Sequence, residues 1–166
     1  MIRTKFLFYR YYWIVAIIIL LYISIELCTQ KGPTDWKLVV SLITGTISYL
    51  YFVQKQKIEE LTLFKDHFQE FNDRYYNLND DLNRIYDNGI DSNNKEKDIQ
   101  KLYNYFNLCG EEFLYYRKGY IFPKVWESWL NGMRYFYRKK EIKDVWNKEL
   151  DSNSYYGFKQ NMLLGG

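Results

Sequence analysis

Residues 11–25 read YYWIVAIIILLYISI and residues 38–53 read LVVSLITGTISYLYFV, and neither run contains a charged side chain. A helix needs about 20 mostly apolar residues to cross roughly 30 Å of hydrocarbon. Flanking residues lengthen both runs, because Arg10 can place its charge at one interface and Trp36 stands just before the second run. The sequence therefore predicts a transmembrane hairpin over residues 1–54, with spans at about 9–28 and 37–54.

The basic residues around the two runs predict their orientation. Arg3, Lys5 and Arg10 precede the first run, and Lys55 and Lys57 follow the second. Lys and Arg near the ends of a span favour the cytosolic side. We therefore expect a multi-pass protein of the bacterial inner (cytoplasmic) membrane with both termini in the cytosol.

The connection between the runs is short, and Gly32-Pro33 is a turn signal within it. Three other interpretations fit less well. A cleaved signal peptide lacks a cleavage site of small residues. A lipoprotein would be acylated at Cys28, but Glu26 and Leu27 stand where small or uncharged residues are normal. A buried hairpin of a soluble protein would not need the aromatic residues that flank both runs.

The second run carries small side chains on one helical face. They recur at spacings of three and four: Ser41, Thr44, Gly45 and Ser48. Small residues let membrane helices approach closely. Two interpretations stay open, namely packing against the first span, and an oligomer contact or the polar lining of a narrow pore.

A long helix is predicted to follow the hairpin without a break, as a stem over residues 55–86. Its apolar residues alternate spacings of three and four, as in a coiled coil. They are Leu61, Phe64, Phe68, Phe71, Tyr75, Leu78, Leu82 and Ile85. This stripe is either a contact between protomers or the core face for the later helices of the same chain.

A polar linker at residues 87–97 is predicted to lead into a cytosolic helical domain at 98–150, followed by a tail at 151–166. Gly119 suits a helix C-cap and Pro123 suits the first turn of the next helix. The predicted fold is an all-α membrane protein with a two-helix transmembrane hairpin, a long stem helix and a small cytosolic helical domain. Gly165-Gly166 reads as a frayed end.

Charge and composition argue against several functions. The net charge is +3, but residues after 54 contain 18 basic and 18 acidic side chains, so no basic surface predicts nucleic-acid binding. The one histidine, His67, and the separated Cys28 and Cys109 do not make a zinc site. No phosphate-binding loop or nucleophile motif is present. We expect a protein that is not an enzyme and has no cofactor.

The acidic residues that could bind a metal ion lie in one polar segment and in two neighbouring pairs. A calcium loop beginning at Asp87 lacks the glycine at its sixth position and has Lys95 at its ninth. The neighbouring pairs Asp80-Asp81 and Glu111-Glu112 point in different directions on a helix. We interpret both pairs as solvated or salt-bridged residues.

Aromatic residues in the cytosolic part are expected to form its core, with Trp126, Trp129 and Trp146 as examples. The tyrosines exceed what one small core can hold, and tyrosine is common at protein interfaces. A surface for a cytosolic protein or a nucleotide signal is therefore predicted around six residues. They are Glu111, Glu112, Tyr115, Tyr116, Trp126 and Trp129.

The stretch Leu102–Phe136 resembles small bacterial proteins with two N-terminal membrane helices, some of them membrane effectors encoded beside anti-phage sensors. The resemblance covers about a fifth of the chain and has no catalytic residue. The residues that carry it are Tyr105-Phe106, Leu108-Cys109, Glu111-Glu112, Tyr116, Lys118-Gly119, Pro123, Val125-Trp126 and Trp129. It implies a helical cytosolic domain that binds a partner and signals to the hairpin.

Two functions follow as hypotheses. The first is a non-enzymatic membrane effector that assembles as a homo-oligomer and permeabilises the inner membrane when its cytosolic domain senses a ligand or partner. The second is a membrane-tethered scaffold or adaptor that recruits a soluble protein through its aromatic helical domain. A small holin-like toxin is a third interpretation, in which a folded cytosolic domain of this size would be superfluous.

Overall fold

The computed structural model describes residues 2–29, 35–151 and 154–164, with side chains from residue 11 onward. The predicted turn at Gly32-Pro33, the side chains of Arg3, Lys5 and Arg10, and the end at Gly165-Gly166 lie outside the described residues. Within the described ranges the chain forms five α-helices, one short 3-10 helix and no strand. The all-α prediction is confirmed.

The helices are α1 (Ile2–Thr29), α2 (Trp36–Asn88), α3 (Lys95–Lys118), α4 (Pro123–Tyr137) and α5 (Lys140–Leu150), and the 3-10 helix is Gln160–Met162. They form two compact units, Met1–Thr62 and Leu63–Gly166. We call them the hairpin unit and the bundle unit, and α2 contributes to both.

The hairpin unit packs along one stripe of each helix. On α1 the covered side chains recur at spacings of three and four: Tyr12, Ala16, Ile19, Ile23 and Glu26. On α2 the matching stripe is Val39, Leu42, Thr46, Tyr49, Leu50 and Val53. Such spacing keeps one side of each helix facing a neighbour. Ala16, Ile23, Thr46 and Val53 are the buried members.

Both helices of this unit are long and apolar enough to be candidate membrane spans. Outside the packed stripes, their large apolar side chains are exposed. On α1 these include Trp13, Ile14, Ile17, Ile18, Leu20, Leu21 and Ile25, and on α2 they include Trp36, Leu38, Val40, Ile43, Ile47, Tyr51 and Phe52.

Local signals account for the ends of α2. The Asp35 carboxylate accepts a hydrogen bond from the Lys37 amide at 3.0 Å, which satisfies a free donor of the first turn. At the other end Gly89 takes a left-handed conformation, with φ of 80°, and its amide donates to the Ile85 carbonyl. A glycine adopts this conformation without a side-chain clash, so it ends the helix there.

The ends of α3 and α4 follow the sequence prediction. Gly119 has φ of 84° and its amide donates to the Tyr116 carbonyl, while the Tyr120 amide donates to the Tyr115 carbonyl. This pair of bonds is the Schellman motif. Pro123 then begins α4, where its missing amide hydrogen leaves no bond unmade. The predicted C-cap and proline start are confirmed.

The bundle unit has one apolar core, built from the later part of α2, all of α3 to α5, and the tail. Its largest fully buried side chains include Phe71, Phe106 and Trp146, and the Phe106 and Trp146 rings stack at 4.5 Å. Trp126 is also buried and Trp129 is half-buried against the core. The expectation of a tryptophan-rich core is confirmed.

The predicted stem stripe divides into two parts. Phe71, Leu78, Leu82 and Ile85 are buried within the bundle unit, and Phe64 and Tyr75 are partly buried against the same core. Leu61 and Phe68 are exposed. The four buried residues therefore belong to the chain's own core. Only the exposed Leu61 and Phe68 are free to contact another protomer.

The tail also belongs to the core, which its turn-like composition did not predict. Tyr155, Phe158 and Leu163 are buried, and the Met162 carbonyl accepts two hydrogen bonds from the Arg134 guanidinium at 3.0 and 3.2 Å. The polar linker predicted at 87–97 is shorter in the structure, because α2 continues to Asn88 and α3 begins at Lys95.

Candidate functional site

The small-residue face of α2 is open within the hairpin unit. Ser41, Thr44, Gly45 and Ser48 are all exposed, and a methyl group added at Gly45 would meet no atom within 4 Å. The side of α2 that packs in this unit carries Val39, Leu42, Thr46 and Val53 instead. Of the two interpretations of this face, packing against the first span does not describe this structure.

One hydroxyl group of this face, that of Ser41, and one of the packed stripe, that of Thr46, bond to the helix itself. Ser41 Oγ donates to the Lys37 carbonyl at 2.8 Å, and Thr46 Oγ1 donates to the Leu42 carbonyl at 2.8 Å. A hydroxyl satisfied in this way is tolerated in an apolar medium. The face is therefore compatible with lipid and with a second helix.

The predicted partner surface is not one free surface. Glu112 and Trp126 are buried, and the remaining four are partly buried in contacts within the bundle unit. The Tyr116 ring stacks on Trp126 at 5.0 Å, and the Trp129 ring stacks on Phe68 at 5.9 Å. One face of each of these two partly buried rings is therefore covered within the bundle unit.

Glu111 and Glu112 have opposite environments. Glu111 receives two hydrogen bonds from the Arg74 guanidinium, one of them from Nη2 to Oε1 at 3.1 Å. Glu112 lies inside the unit with 5% of its surface exposed. The interpretation of both as solvated or salt-bridged is right for Glu111 and wrong for Glu112, because α3 turns the second residue toward the core.

The surroundings of Glu112 are apolar or weakly acidic. Burial, only partly offset by the nearby Arg74 charge, raises the pKa of Glu112 to about 8. Burial also raises the pKa of Cys109 and of Tyr105 well above their ordinary values. At neutral pH this group of side chains is therefore uncharged.

A second buried carboxylate, Asp98, is paired. Its side chain is 3% exposed, and it accepts two hydrogen bonds from Arg84, one of them from Nη1 to Oδ2 at 3.2 Å. The Asp91 amide donates to Asp98 Oδ2 at 3.0 Å. The hydrogen bonds from Arg84, more than any other cause, hold the pKa of Asp98 below its ordinary value.

In the segment compared with a calcium loop, the carboxylates of Asp91 and Asp98 form internal hydrogen bonds. Asp91 accepts hydrogen bonds from the Asn93 amide at 2.9 Å and from the Asn94 side chain at 2.8 Å. In the part of the chain that the structure describes, no three His, Cys, Asp or Glu side chains are grouped to hold a metal ion. Of the other acidic pair, Asp80 is exposed and Asp81 lies 2.9 Å from Lys101 Nζ.

His67 is partly buried among aromatic rings. Its ring lies 4.3 Å from Tyr115 and 6.1 Å from Phe71, and its Nδ1 is 3.8 Å from Glu70. The closest charged neighbour is thus an exposed glutamate on the next turn.

Comparison with known proteins gives no match: no family model, no curated protein and no solved structure is similar to this chain. The resemblance of Leu102–Phe136 to two-helix membrane proteins stays an expectation.

Sequence reasoning missed the buried group around Glu112. One signal was available, because Glu112 stands three residues after Cys109 and seven after Tyr105, on the apolar side of α3. The Arg74 partner of Glu111 lies 37 residues earlier in the chain, and no local pattern indicates that contact.

Proposed function

We propose that this chain is a non-enzymatic effector of the bacterial inner membrane, in which copies associate through their hairpins and permeabilise the membrane. The observation that carries the proposal is the exposed apolar surface of the hairpin unit. The bundle unit, made by the same chain, buries a continuous core of leucine, phenylalanine and tryptophan side chains instead.

The exposed apolar surface of the hairpin unit supports a position in the membrane. Soluble proteins rarely expose large continuous apolar surfaces. In lipid such surfaces are favourable, and a helix satisfies its own backbone hydrogen bonds there. Exposed aromatic residues stand near the ends of the apolar runs, with Tyr11 and Trp13 on α1 and Trp36, Tyr51 and Phe52 on α2. These are the positions that aromatic residues favour at membrane interfaces.

The open face of α2 supports the association of several copies. Membrane helices associate most closely where small residues meet. Because the hairpin unit packs without Ser41, Thr44, Gly45 and Ser48, this face is available to a second copy. Several copies meeting here would bring hydroxyl groups and helix backbone toward a shared axis, as a narrow pore requires.

The bundle unit would then act as the sensor, holding the assembly closed until a cytosolic protein or a nucleotide signal binds. An anti-phage role rests only on the resemblance described above. The partner surface is proposed at the partly buried residues Glu111, Tyr115, Tyr116 and Trp129.

A scaffold or adaptor is the second proposed function, and the exposed tyrosines of the bundle unit favour it. Tyr76 is 79% exposed, and Tyr120, Tyr135 and Tyr156 are also exposed. Tyrosine offers a large contact area and a hydroxyl group to a partner protein. In this case the hairpin would serve only as an anchor.

Ion flux from liposomes that contain the purified full chain tests the effector function. We expect flux in at least one activating condition, and we expect Gly45→Leu to abolish it, since the larger side chain would block close contact at the open face. The matched control is Ile47→Leu, an exposed apolar residue replaced by another. Equal flux from Gly45→Leu and the control would remove the role of this face.

Replacing residues 1–54 with an unrelated two-helix anchor separates the two functions in cells. The effector function predicts that biological activity is lost. Full activity after the exchange, with no flux from the natural protein in any condition, would replace the effector proposal with the adaptor.

A further inference from the structure

The bundle unit contains one buried acidic group that is not held by a paired base. Glu112 is 5% exposed, and Arg74, the nearest basic side chain on α2, donates its hydrogen bonds to Glu111. Among the residues that the structure describes, none donates a hydrogen bond to the Glu112 carboxyl. The Glu111–Arg74 pair thus joins α2 and α3, while Glu112, the next residue of α3, is buried without such a pair.

The side chains that face Glu112 come from each neighbouring element. Residues 63–88 of α2 supply Tyr75, beside Arg74, and Glu70 lies 3.8 Å from that guanidinium. On α3 they are Tyr105 and Cys109, in addition to Glu111. Next to Cys109, the tail places Tyr155 against Gly110, and Tyr155 donates to Glu149 of α5 at 3.0 Å.

Burial favours the neutral form of the Glu112 carboxyl, and the Arg74 charge only partly opposes it. The Tyr75 and Tyr105 rings pack 6.4 Å apart, and burial raises the pKa of each. Because the tyrosines and Cys109 stay protonated at neutral pH, Glu112 is the member of the group that changes charge near pH 8. A charge here would have little water around it, because 5% of the Glu112 surface is exposed, and it would have no paired base, and such a charge is costly.

We propose that Glu112 makes the contact between α3 and residues 63–88 of α2 proton-dependent, holding the two helices together while its carboxyl is neutral and loosening them as the pH rises. The inference concerns the bundle unit alone, so it stands or falls separately from ion flux through the hairpin.

The direction of the pH effect follows from the linkage between proton binding at Glu112 and the opening of the two helices. The folded state holds the Glu112 proton up to about pH 8, whereas an opened state releases it near the ordinary glutamate value of about 4.3. Opening is therefore favoured by about tenfold for each pH unit between about 5.5 and 7.5, and the effect levels off above about 8.5. Below the ordinary value both states bind the proton and the stabilisation is fully present.

Amide hydrogen exchange of the detergent-solubilised full chain measures this opening at α2 and α3. We expect the pH dependence in the natural chain and in Glu127→Gln, the control at an exposed glutamate of α4. Once each rate is divided by the intrinsic amide exchange rate at that pH, the dependence should be absent in Glu112→Gln, which should also exchange more slowly than the natural chain at pH 8.5. The same pH dependence in Glu112→Gln and Glu127→Gln overturns the proposal.

Infrared spectroscopy of the natural chain gives a second test. Because Glu112 is kept, a folding defect of the Glu112→Gln variant cannot obscure the result. We expect a protonated carboxyl signal at pH 7 that disappears as the pH passes about 8, and that remains in Glu26→Gln. The absence of any protonated carboxyl at pH 7, or its loss in Glu26→Gln, overturns the proposal.

Discussion

The hairpin unit and the bundle unit treat the same kinds of side chain in opposite ways. In the hairpin unit the buried side chains are Ala16, Ile23, Thr46 and Val53, while long runs of isoleucine and leucine are exposed. In the bundle unit phenylalanine, leucine and tryptophan fill a continuous core. The difference shows that apolar content alone does not make a core. The chain leaves most of the apolar surface of the hairpin unit exposed.

The largest expected effect is on the bundle core. Trp146→Ala removes a fully buried indole that stacks on Phe106, and such a change costs about 3–5 kcal/mol of unfolding free energy. Denaturant unfolding of the detergent-solubilised chain measures it. Tyr76→Ala, at a highly exposed ring of the same unit, should change the free energy by less than about 0.5 kcal/mol. Equal effects of the two changes would contradict a single packed core.

A charge on the hairpin surface should cost nearly as much, although the position is exposed. Ile18 is 59% exposed, and in a soluble protein Ile18→Lys would change little. At the centre of a span a lysine costs about 2.5–3.5 kcal/mol of insertion free energy. We expect Ile18→Lys to reduce the fraction of chain that resists alkaline extraction from membranes. Gln69→Lys, on the exposed side of α2 in the bundle unit, is the control and should not reduce it.

Loss of the buried ion pair should have an intermediate effect. Arg84→Met leaves Asp98 buried without its partner, at a cost of about 1–3 kcal/mol, and toward the lower end because Arg84 is partly exposed. The pKa of Asp98 is lowered in the folded chain, so this stabilisation is present above about pH 4 and is lost as the pH falls further. Unfolding between pH 7 and 3 should show a smaller acid loss in Arg84→Met. An unchanged acid loss would rule out this pair as its source.

The smallest effect on stability is expected at the open face of α2. Because Ser48 is exposed and Gly45 has no neighbour within 4 Å, Ser48→Leu should leave insertion unchanged. If this face joins copies, the same change should lower the mass of the detergent-solubilised complex. Val40→Leu, at another exposed position of α2, is the matched control. A complex of unchanged mass would leave the face to lipid alone.

Sequence alone predicted the features that local patterns determine. Two charge-free runs predicted the helices of the hairpin unit, and the signals at Gly119 and Pro123 predicted where α3 ends and α4 begins. The tail residues Tyr155 and Phe158 have no helical periodicity, so their burial was not predictable. The burial of Glu112 depends on tertiary packing, which no local pattern gives. Both sides of α2 in the second run carry similar small and apolar side chains, so the sequence did not predict which side packs within the hairpin unit.

The membrane position of the hairpin unit is tested most directly by the two native cysteines, since Cys28 is exposed and Cys109 is buried. A membrane-impermeant maleimide should label Cys28 in intact spheroplasts. With Cys28→Ser and Ser92→Cys combined, labelling should occur only after lysis, because Ser92 lies in the exposed turn before α3. Labelling of both variants only after lysis, or of both in intact spheroplasts, would contradict a hairpin that crosses the membrane twice with the bundle unit in the cytosol.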